Sequence, residues 1–391
     1  MRKLIIALLT SGCLMASTPA MAGSQQPPSD TVFERFAPAQ SLTDDQLDWQ
    51  HWDEALGWMV IPMGPSLRQG ASRVDPNIGT RRIYGHESRL RLEGNRVAFS
   101  YLTAQMVASL TEYRADLERI GSTLDIARLP RNEQLAYWLN LHNVAIIEAL
   151  AKAHPMTDLD ARTFGPNEAP LGDAKLVTVA GVALSARDIR EKIVYPHWRD
   201  PKVIYGFWRG QIGGPSIQRV AFTGSNVDTL LALAGEEFVN SLRGVEAYGG
   251  ALRVSRVYEE AAPFYFGDDR LLRNHISKFA GKDVASLLQK YNRVSYADFE
   301  TDIADLARGE RDPNLGARYV ADCKANSCID SAAPGAQGAL PPTISVNPAI
   351  ARLMRERGEK LARAQRKGIR LGTVIVAGGD YTTGTQAREV E

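Results

Sequence analysis

The sequence predicts an α+β fold in which one buried central helix packs on a small mixed or antiparallel sheet and is surrounded by further helices. Residues 133–152 have helical periodicity, and their apolar side chains occupy most of the circumference, so this helix must be buried on most sides. Short apolar runs typical of strands, such as Lys175–Val179, alternate with segments of helical periodicity. With 391 residues, 44% of them hydrophobic, the chain can bury one large core or two modest ones.

The composition excludes several classes of protein. Its hydrophobic and charged fractions, 44% and 23%, are those of a globular chain rather than of a disordered, collagen-like or membrane-bundle protein. The 46 lysines and arginines balance 45 aspartates and glutamates, which gives a net charge of +1. This balance offers no global electrostatic reason to bind nucleic acid, so we expect no nucleic-acid partner.

Residues 1–22 have the three parts of a secretory signal peptide: a charged start, an apolar stretch, and small residues that end at Ala22. Cleavage after Ala22 predicts a mature protein in the periplasm or outside the cell. The alternative is a lipoprotein anchored through Cys13, although Thr10 stands where a lipobox usually has leucine.

The rest of the chain divides into three segments. Residues 23–80 form an N-terminal aromatic-rich segment with one short helix over Asp44–Leu56, residues 81–307 form the main domain, and residues 308–391 form a C-terminal extension. Within the main domain the patterns predict, in order, a hairpin over Ser88–Phe99, a helix from Ser100 to Gly121, the central helix over 133–152, a strand over Lys175–Val179, a helix over Ala186–Val194, a strand over Val203–Trp208, a helix over Asn226–Leu242, a strand over Ala251–Val257, and helices over Leu271–Phe279 and Val284–Leu288.

One helix start has a specific signal. Ser185 and Asp188 have the spacing of a capping box for the helix Ala186–Val194, which Pro196 is expected to end.

Two cysteines remain after removal of the signal peptide. In an oxidising compartment, Cys323 and Cys328 are expected to form a structural disulfide that closes a short loop. Free thiols or a thiol-exchange pair are the alternatives, but redox motifs place two residues between the cysteines and here there are four. Two thiols without a nearby histidine fall short of four zinc ligands, and the histidines lack metal spacing, so we predict no metal and no cofactor.

The C-terminal extension contains a basic helix over residues 348–367. This helix carries seven lysines and arginines against two glutamates. Such a helix can contact an anionic surface or an acidic partner, and the alternative is an ordinary solvated face.

The central helix begins with residues 131–143, RNEQLAYWLNLHN. This stretch resembles the signature helix of the domain-of-unknown-function 547 family, N-x-x-L-A-F-W-I-N-x-Y-N-A. The resemblance continues through Ala183–Ile189 and Asp200–Val203, and it covers the chain from about Tyr84 to Phe279. It implies that residues 81–307 form a domain of this family, whose biochemical role is unknown.

The sequence departs from the family pattern at three positions. The family commonly continues H-F-A-L-x-C-G-x-x-x-C-P, and here Arg209 and Gly214 stand at the two cysteine positions. Glu148 stands where relatives often carry a histidine. A thiol beside an imidazole is a plausible nucleophile and base, whereas a guanidinium stays protonated. The resemblance therefore implies a degenerate thiol site, in a binding or scaffolding protein of the cell envelope.

Arg209 has two possible roles in this interpretation. It can form a bidentate ion pair with Glu148 that bridges the central helix to a neighbouring strand. Alternatively, it faces a pocket with Gly210–Gly214 as its floor, and binds a carboxylate or phosphate with help from the loop amides of residues such as Gly210 and Gly214. The ligand would then be an acidic small molecule or peptide, and the partner an unknown envelope protein.

Three polar residues of the central helix are further candidates. Asn140 and Asn143 share one side of the helix, where they can tie loop backbone to the helix or form a polar substrate cradle. His142 points away from both, about 160° from Asn140 and 100° from Asn143, which favours aromatic packing with a polar tip over proton transfer. The competing hypothesis is a hydrolase or transferase that uses Glu148 and His142, with Arg209 stabilising an anionic substrate.

Overall fold

The computed structural model describes residues 30–41, 43–73, 84–297, 300–310 and 347–369. The predicted signal peptide with Cys13 and Ala22, and the predicted disulfide between Cys323 and Cys328, lie outside the described residues. Within the described ranges, no helix combines the length and the apolar character that a membrane span requires.

Helices dominate the described residues, with short strands between them. The α-helical segments are α1 (Gln50–Met59), α2 (Ala104–Thr123), α3 (Arg131–Ala153), α4 (Ala186–Asp188), α5 (Tyr195–His197), α6 (Val227–Val239), α7 (Arg256–Tyr265), α8 (Asp269–Ser277), α9 (Lys282–Lys290) and α10 (Pro348–Arg366). The strands are β1 (Val60–Ile61), β2 (Arg96–Val97), β3 (Lys175–Val179), β4 (Val182–Ser185), β5 (Val245–Tyr248), β6 (Ala251–Val254) and β7 (Val294–Tyr296).

The strands form three small sheets. Strands β1 and β2 pair antiparallel, β3 and β4 form an antiparallel hairpin, and β6 pairs antiparallel with β5 and parallel with β7. The predicted α+β class is confirmed, with the strands divided among separate sheets rather than joined in one.

Helix α3 is the centre of the fold, as its apolar circumference predicts. Eighteen of its 23 residues are buried, and it contacts α2, α6 and β3. The N-terminal aromatic-rich segment packs on the same core, where Phe36 meets Trp138 edge to face at 5.2 Å between ring centroids. Burial on every side explains why the few polar residues of α3 must all find partners inside the protein.

The hairpin predicted over Ser88–Phe99 does not form. Residues 89–94 are turns and bends, and β2 pairs with β1 instead. The reason is Arg96, which is fully buried and whose guanidinium donates to the carbonyls of Glu93, Gly94 and Arg91 at 2.7 to 2.8 Å. The loop therefore folds around one cation, which alternation of apolar residues cannot indicate.

The strand predicted over Val203–Trp208 is also wrong. Residues Pro201–Gly206 form a 3₁₀ helix, which Asp200 caps by accepting from the amide of Lys202. A short apolar run is compatible with either conformation when it is buried on all sides, so periodicity does not separate them.

The predicted capping box forms at the start of α4. The Ser185 hydroxyl accepts from the amide of Asp188, and the Asp188 carboxylate accepts from the amide of Ser185. The helix then widens into a π-helical segment, Ile189–Val194, where the Tyr195 amide donates to the carbonyl of Arg190 five residues back. The helical stretch ends at His197, just beyond Pro196 rather than before it.

Helix α10 covers a second, smaller apolar cluster. Its Ala349, Ile350 and Leu353 pack against residues such as Met63 and Leu92 from the N-terminal half of the described chain. The C-terminal extension is thus packed against the body of the protein through α10.

Candidate functional site

The candidate site lies where the 3₁₀ helix Pro201–Gly206 meets α3. The backbone of Gly206 packs directly against α3. A Cβ added at this position would lie only 2.7 Å from a Leu139 side-chain carbon. Asn143 holds the same stretch: its Nδ2 donates to the carbonyl of Gly206 and its Oδ1 accepts from the amide of Trp208, each at 3.0 Å. Arg209 follows at once, so these contacts fix where its side chain begins.

Asn140 makes a similar two-way contact with another loop. Its Nδ2 donates to the carbonyl of Phe222 at 2.7 Å, and its Oδ1 accepts from the amide of the same residue at 3.1 Å. Asn140 and Asn143 are both buried. In this structure both side-chain amides tie loop backbone to α3, which is one of the two roles that the sequence leaves open.

His142 is completely buried, and both of its ring nitrogens have partners. Nε2 lies 3.0 Å from Nη1 of Arg190, and Nδ1 lies 3.0 Å from Oδ1 of Asn143. A guanidinium can only donate, so Nε2 accepts and the ring proton resides on Nδ1. Burial, and next the charge of Arg190, hold the pKa of His142 well below its usual range. The imidazole is therefore neutral and confined to one tautomer.

Glu260 is the counter-charge of this region. Arg209 donates to it through both terminal nitrogens, at 2.5 and 2.8 Å. Arg190 donates through Nε at 2.8 Å and through Nη2 at 3.2 Å. The carboxylate thus lies between two bidentate guanidiniums, whose side chains are only 4% (Arg190) and 10% (Arg209) exposed. We call Glu260, Arg190, Arg209, His142 and Asn143 the Glu260 network.

The two guanidiniums of the Glu260 network favour the ionised form of Glu260. Burial alone would raise the pKa of Glu260, but the guanidiniums of Arg209 and Arg190 outweigh this effect and hold its pKa far below the usual range. Burial and the nearby carboxylate of Glu260 raise the pKa of the neighbouring Glu191. Glu260 is therefore ionised at neutral pH, where it is paired with both guanidiniums.

The pairing of Arg209 with Glu148 that the sequence suggests does not occur. Glu148 instead forms ion pairs with Arg114 of α2 and with Lys152 one turn along α3. The reason is helical geometry, because Glu148 lies five residues after Asn143 and hence about 140° around α3. One side of α3 faces the Arg209 loop, and Glu148 projects toward α2.

The glycine-rich loop after Arg209 is closed by another segment of the chain. The amide of Ile212 donates to the carbonyl of Asp302 at 2.9 Å, and the amide of Gly213 donates to the carbonyl of Glu300 at 3.1 Å. The carbonyls of Gly210 and Gly214 accept from the Ala304 amide and from an arginine side chain, respectively. The amides of Ile212 and Gly213 are therefore already committed, and this structure does not offer them to an anion.

The chemistry open to this arrangement is limited. The Glu260 network contains no hydroxyl or thiol nucleophile, its imidazole is neutral with both nitrogens occupied, and its carboxylate accepts four hydrogen bonds. The nearby Tyr195 hydroxyl has no hydrogen-bond partner among the described residues, and burial raises its pKa. Within the described ranges, no group of three or more His, Cys, Asp and Glu side chains has the geometry of a metal site.

The sequence analysis missed two of the functional residues, Arg190 and Glu260. Arg190 stands two positions after the capping box, at the start of a charged run with Glu191 and Lys192, and nothing in this run marks it as the buried member. Glu260 adjoins the buried Ala261 and lies three residues after the buried Val257, so periodicity places it beside the buried face of α7. Nothing in the sequence indicates that these two residues meet.

The comparisons with known proteins give one match. The family model described as "Protein of unknown function, DUF547" matches residues 126–239, which include α3, the π-helical segment, Arg209 and α6. Neither the curated proteins nor the solved structures contain a match to this chain. Glu260 and α10 lie outside the matched residues. The resemblance predicted from the sequence is confirmed over residues 126–239, which match the model of this family.

Proposed function

We propose that this protein is a binding or scaffolding protein of the cell envelope, in which a structural ion-pair network occupies the place of the thiol centre expected of the family. One observation carries this proposal. Arg209 stands where the family pattern has its first cysteine, and both terminal nitrogens of its guanidinium are bonded to Glu260. A guanidinium bound in this way cannot act as a nucleophile, and its loss would leave the carboxylate unpaired in a mostly buried position.

The contacts of the other candidate residues support the same proposal. An enzyme that uses Glu148, His142 and Arg209 would need them around one substrate. Glu148 pairs with Arg114 and Lys152, whereas His142 contacts Arg190, Asn143 and Phe207. The partners of Glu148 and those of His142 have no member in common.

The reaction class is tested with the purified mature chain, residues 23–391. The chain is assayed against ester, thioester and peptide substrates beside the variants His142→Gln and Glu148→Gln, with Glu359→Gln as an exposed control. The proposal predicts no turnover that depends on His142 or Glu148. Turnover that disappears in either variant, while the melting temperature stays at the wild-type value, would establish the hydrolase or transferase instead.

The location is tested separately, by fractionating cells that express the full chain. We expect the protein in the periplasmic or external fraction, with Gly23 as its N-terminal residue, because small residues precede this position as at a signal-peptidase site. Recovery of the uncleaved chain in the cytoplasm would overturn the envelope part of the proposal. Acylation at Cys13 would establish the lipoprotein alternative.

A further inference from the structure

The basic residues of α10 divide into two sets. Three of them face the protein: Arg352 donates to the carbonyl of His86, Arg357 to that of Pro62, and Lys360 to that of Leu92, among others. Lys360 is only 3% exposed. These three cations hold α10 in place, so they are not part of any binding face.

The other four basic residues form an exposed face. Arg355, Arg363, Arg366 and Lys367 are exposed, and they have no ion-pair partner within the described ranges. At 100° and 1.5 Å per residue they occupy about a third of the helix circumference over roughly 18 Å. Glu359, the one exposed carboxylate of α10, lies within the same third of the circumference, so the cations outnumber it four to one. We call these four cations the α10 cationic face.

The side chains of the α10 cationic face indicate which kind of partner it can bind. The large hydrophobic side chains that are exposed in the described residues all lie outside α10. Protein interfaces usually depend on buried aromatic or aliphatic anchors in their centre, and this face offers none. The apolar side of α10 is already buried against Met63 and Leu92, so it is not free to insert into a membrane. What remains is a row of cations suited to a surface of repeated phosphates.

A cavity beside this face leaves space around two of its arginines. It has a volume of about 280 Å³, and Arg355 and Arg363 line it opposite residues 69–72. Two of the three carboxylates in its wall are engaged, since the half-buried Glu356 pairs with Arg91 and the buried Glu93 accepts from a serine hydroxyl, and the third, Glu359, is exposed. Phosphate oxygens can therefore approach these guanidiniums from the cavity side as well as from outside.

We propose that the α10 cationic face adsorbs the protein to an anionic phospholipid bilayer. This inference rests on the proposed function in the cell envelope, and it identifies phospholipid phosphate as the chemistry that the protein binds there. Adsorption is electrostatic and leaves the fold unchanged. It therefore weakens as salt screens the charges.

Sedimentation with vesicles tests this proposal. The mature chain is mixed with phosphatidylcholine vesicles that contain or lack phosphatidylglycerol. Each cation near an anionic bilayer strengthens adsorption roughly fivefold. The triple variant Arg355→Gln/Arg363→Gln/Arg366→Gln should therefore lose about 100-fold in partitioning to the anionic vesicles at low salt.

The control removes the same charge elsewhere. Arg119, Arg128 and Arg270 are exposed, and each is paired with a nearby aspartate. The triple replacement of these three by glutamine changes the net charge equally and should leave vesicle binding within about threefold of wild type. Circular dichroism of both variants checks that the fold is retained. If the α10 variant loses its fold, the proposal is judged by whether wild-type binding to anionic vesicles weakens as salt is added.

Three outcomes would overturn the proposal. Equal losses in the two triple variants would mean that only the net charge matters, and equal wild-type binding to both vesicle types would exclude recognition of phosphate. Binding to polyglutamate without binding to anionic vesicles would assign the face to an acidic protein. Failure with vesicles leaves the envelope proposal intact, because fractionation tests that separately, and a cytoplasmic location would overturn the envelope proposal even if vesicles bind.

Discussion

Glu260 is the residue on which the charge balance of the candidate site depends. It is the only carboxylate within the described ranges that bridges Arg190 and Arg209, and its side chain is 17% exposed. Without its charge, two guanidiniums would face each other in a mostly buried position. A buried ion pair contributes little net stability compared with apolar packing, but removing one partner costs several kcal/mol, because the remaining charge is left unpaired.

The first prediction concerns this carboxylate. Glu260→Gln should lower the free energy of unfolding by about 3 kcal/mol, measured by urea denaturation. The matched control is Glu259→Gln, at the adjacent residue. The Glu259 side chain is 53% exposed, and its one ion pair among the described residues is with Arg256, at 3.5 Å. The control should change the free energy by less than about 1 kcal/mol. Equal losses in the two variants would show that Glu260 has no special role.

The second prediction concerns pH. Burial lowers the pKa of His142 well below its usual range and lowers that of His275 to about 4. Below the unfolded value of about 6.5, the unfolded chain binds protons that the folded protein does not. The free energy of unfolding should therefore fall as the pH drops from 6.5 toward 4, by up to about 1.4 kcal/mol per pH unit for each histidine.

Urea midpoints between pH 7.5 and 5 measure this dependence. The variant His275→Gln should have a shallower slope, whatever its absolute stability, because one group that remains neutral in the folded state has been removed. His51 is exposed, so His51→Gln should retain the wild-type slope. A wild-type slope in His275→Gln would contradict the prediction.

At the scale of elements, the 3₁₀ helix Pro201–Gly206 is fixed by close packing on α3 and α6. A Cβ at position 206 would lie 2.7 Å from a Leu139 carbon and 2.8 Å from a Leu231 carbon. Gly206→Ala should therefore destabilise the protein by about 1 to 3 kcal/mol through overpacking, and displace Arg209.

The control for this third prediction is a glycine-to-alanine change that is expected to raise stability instead of lowering it. Gly358 lies in the middle of α10, and a Cβ there would meet nothing within 4 Å. Gly358→Ala should raise the stability of α10 by about 0.5 to 1 kcal/mol, because alanine restricts the unfolded chain. Thermal denaturation of the two variants measures both effects, and a stabilised Gly206→Ala would refute the packing argument.

Local signals predicted the helices well and the non-repetitive segments poorly. The apolar circumference of residues 133–152 placed α3, and Ser185 with Asp188 placed the start of α4, because both patterns depend on neighbours in the sequence. Residues 88–99 were assigned wrongly because a distant strand, β1, pairs with β2 and because Arg96 gathers the loop carbonyls. Such non-local contacts leave no periodicity to detect.

The candidate site shows the same limit. The family pattern identifies Arg209 as the residue at a cysteine position. The sequence also offers Asn140 and Asn143 as residues that hold loops on the central helix, and the structure shows them in this role. The sequence offers Glu148 as one possible partner of Arg209, because both residues depart from the family pattern. Glu260 lies on α7, 51 residues from Arg209, and only the folded chain brings the two together.

At the scale of the whole molecule, α10 rests on an apolar cluster that is separate from the main core. The cluster contains Leu353, 2% exposed, together with Met63 and Leu92. Few apolar residues hold α10, so we expect it to open locally at a lower free energy than α3, which the main core surrounds.

The fourth prediction follows from this difference. Leu353→Ala should destabilise the docking of α10 by about 2 to 4 kcal/mol, and its backbone amides should exchange faster with deuterium while those of α3 do not. Met354→Ala, at a neighbouring half-buried position, serves as the control and should have a smaller effect. Equal acceleration in α3 would mean that α10 unfolds only together with the main core.

The docking of α10 also has a consequence for synthesis. Its contacts join distant parts of the chain: Lys360 and Met63 are 297 residues apart, and Glu356 and Arg91 are 265 apart. Whether folding follows synthesis or export, the chain emerges N-terminus first, so α10 follows Met63 by roughly 300 residues. Until then Met63 and Leu92 lack their cover, so they are a natural binding site for a chaperone. A nonsense mutation before Pro348 would leave that site open for the lifetime of the protein.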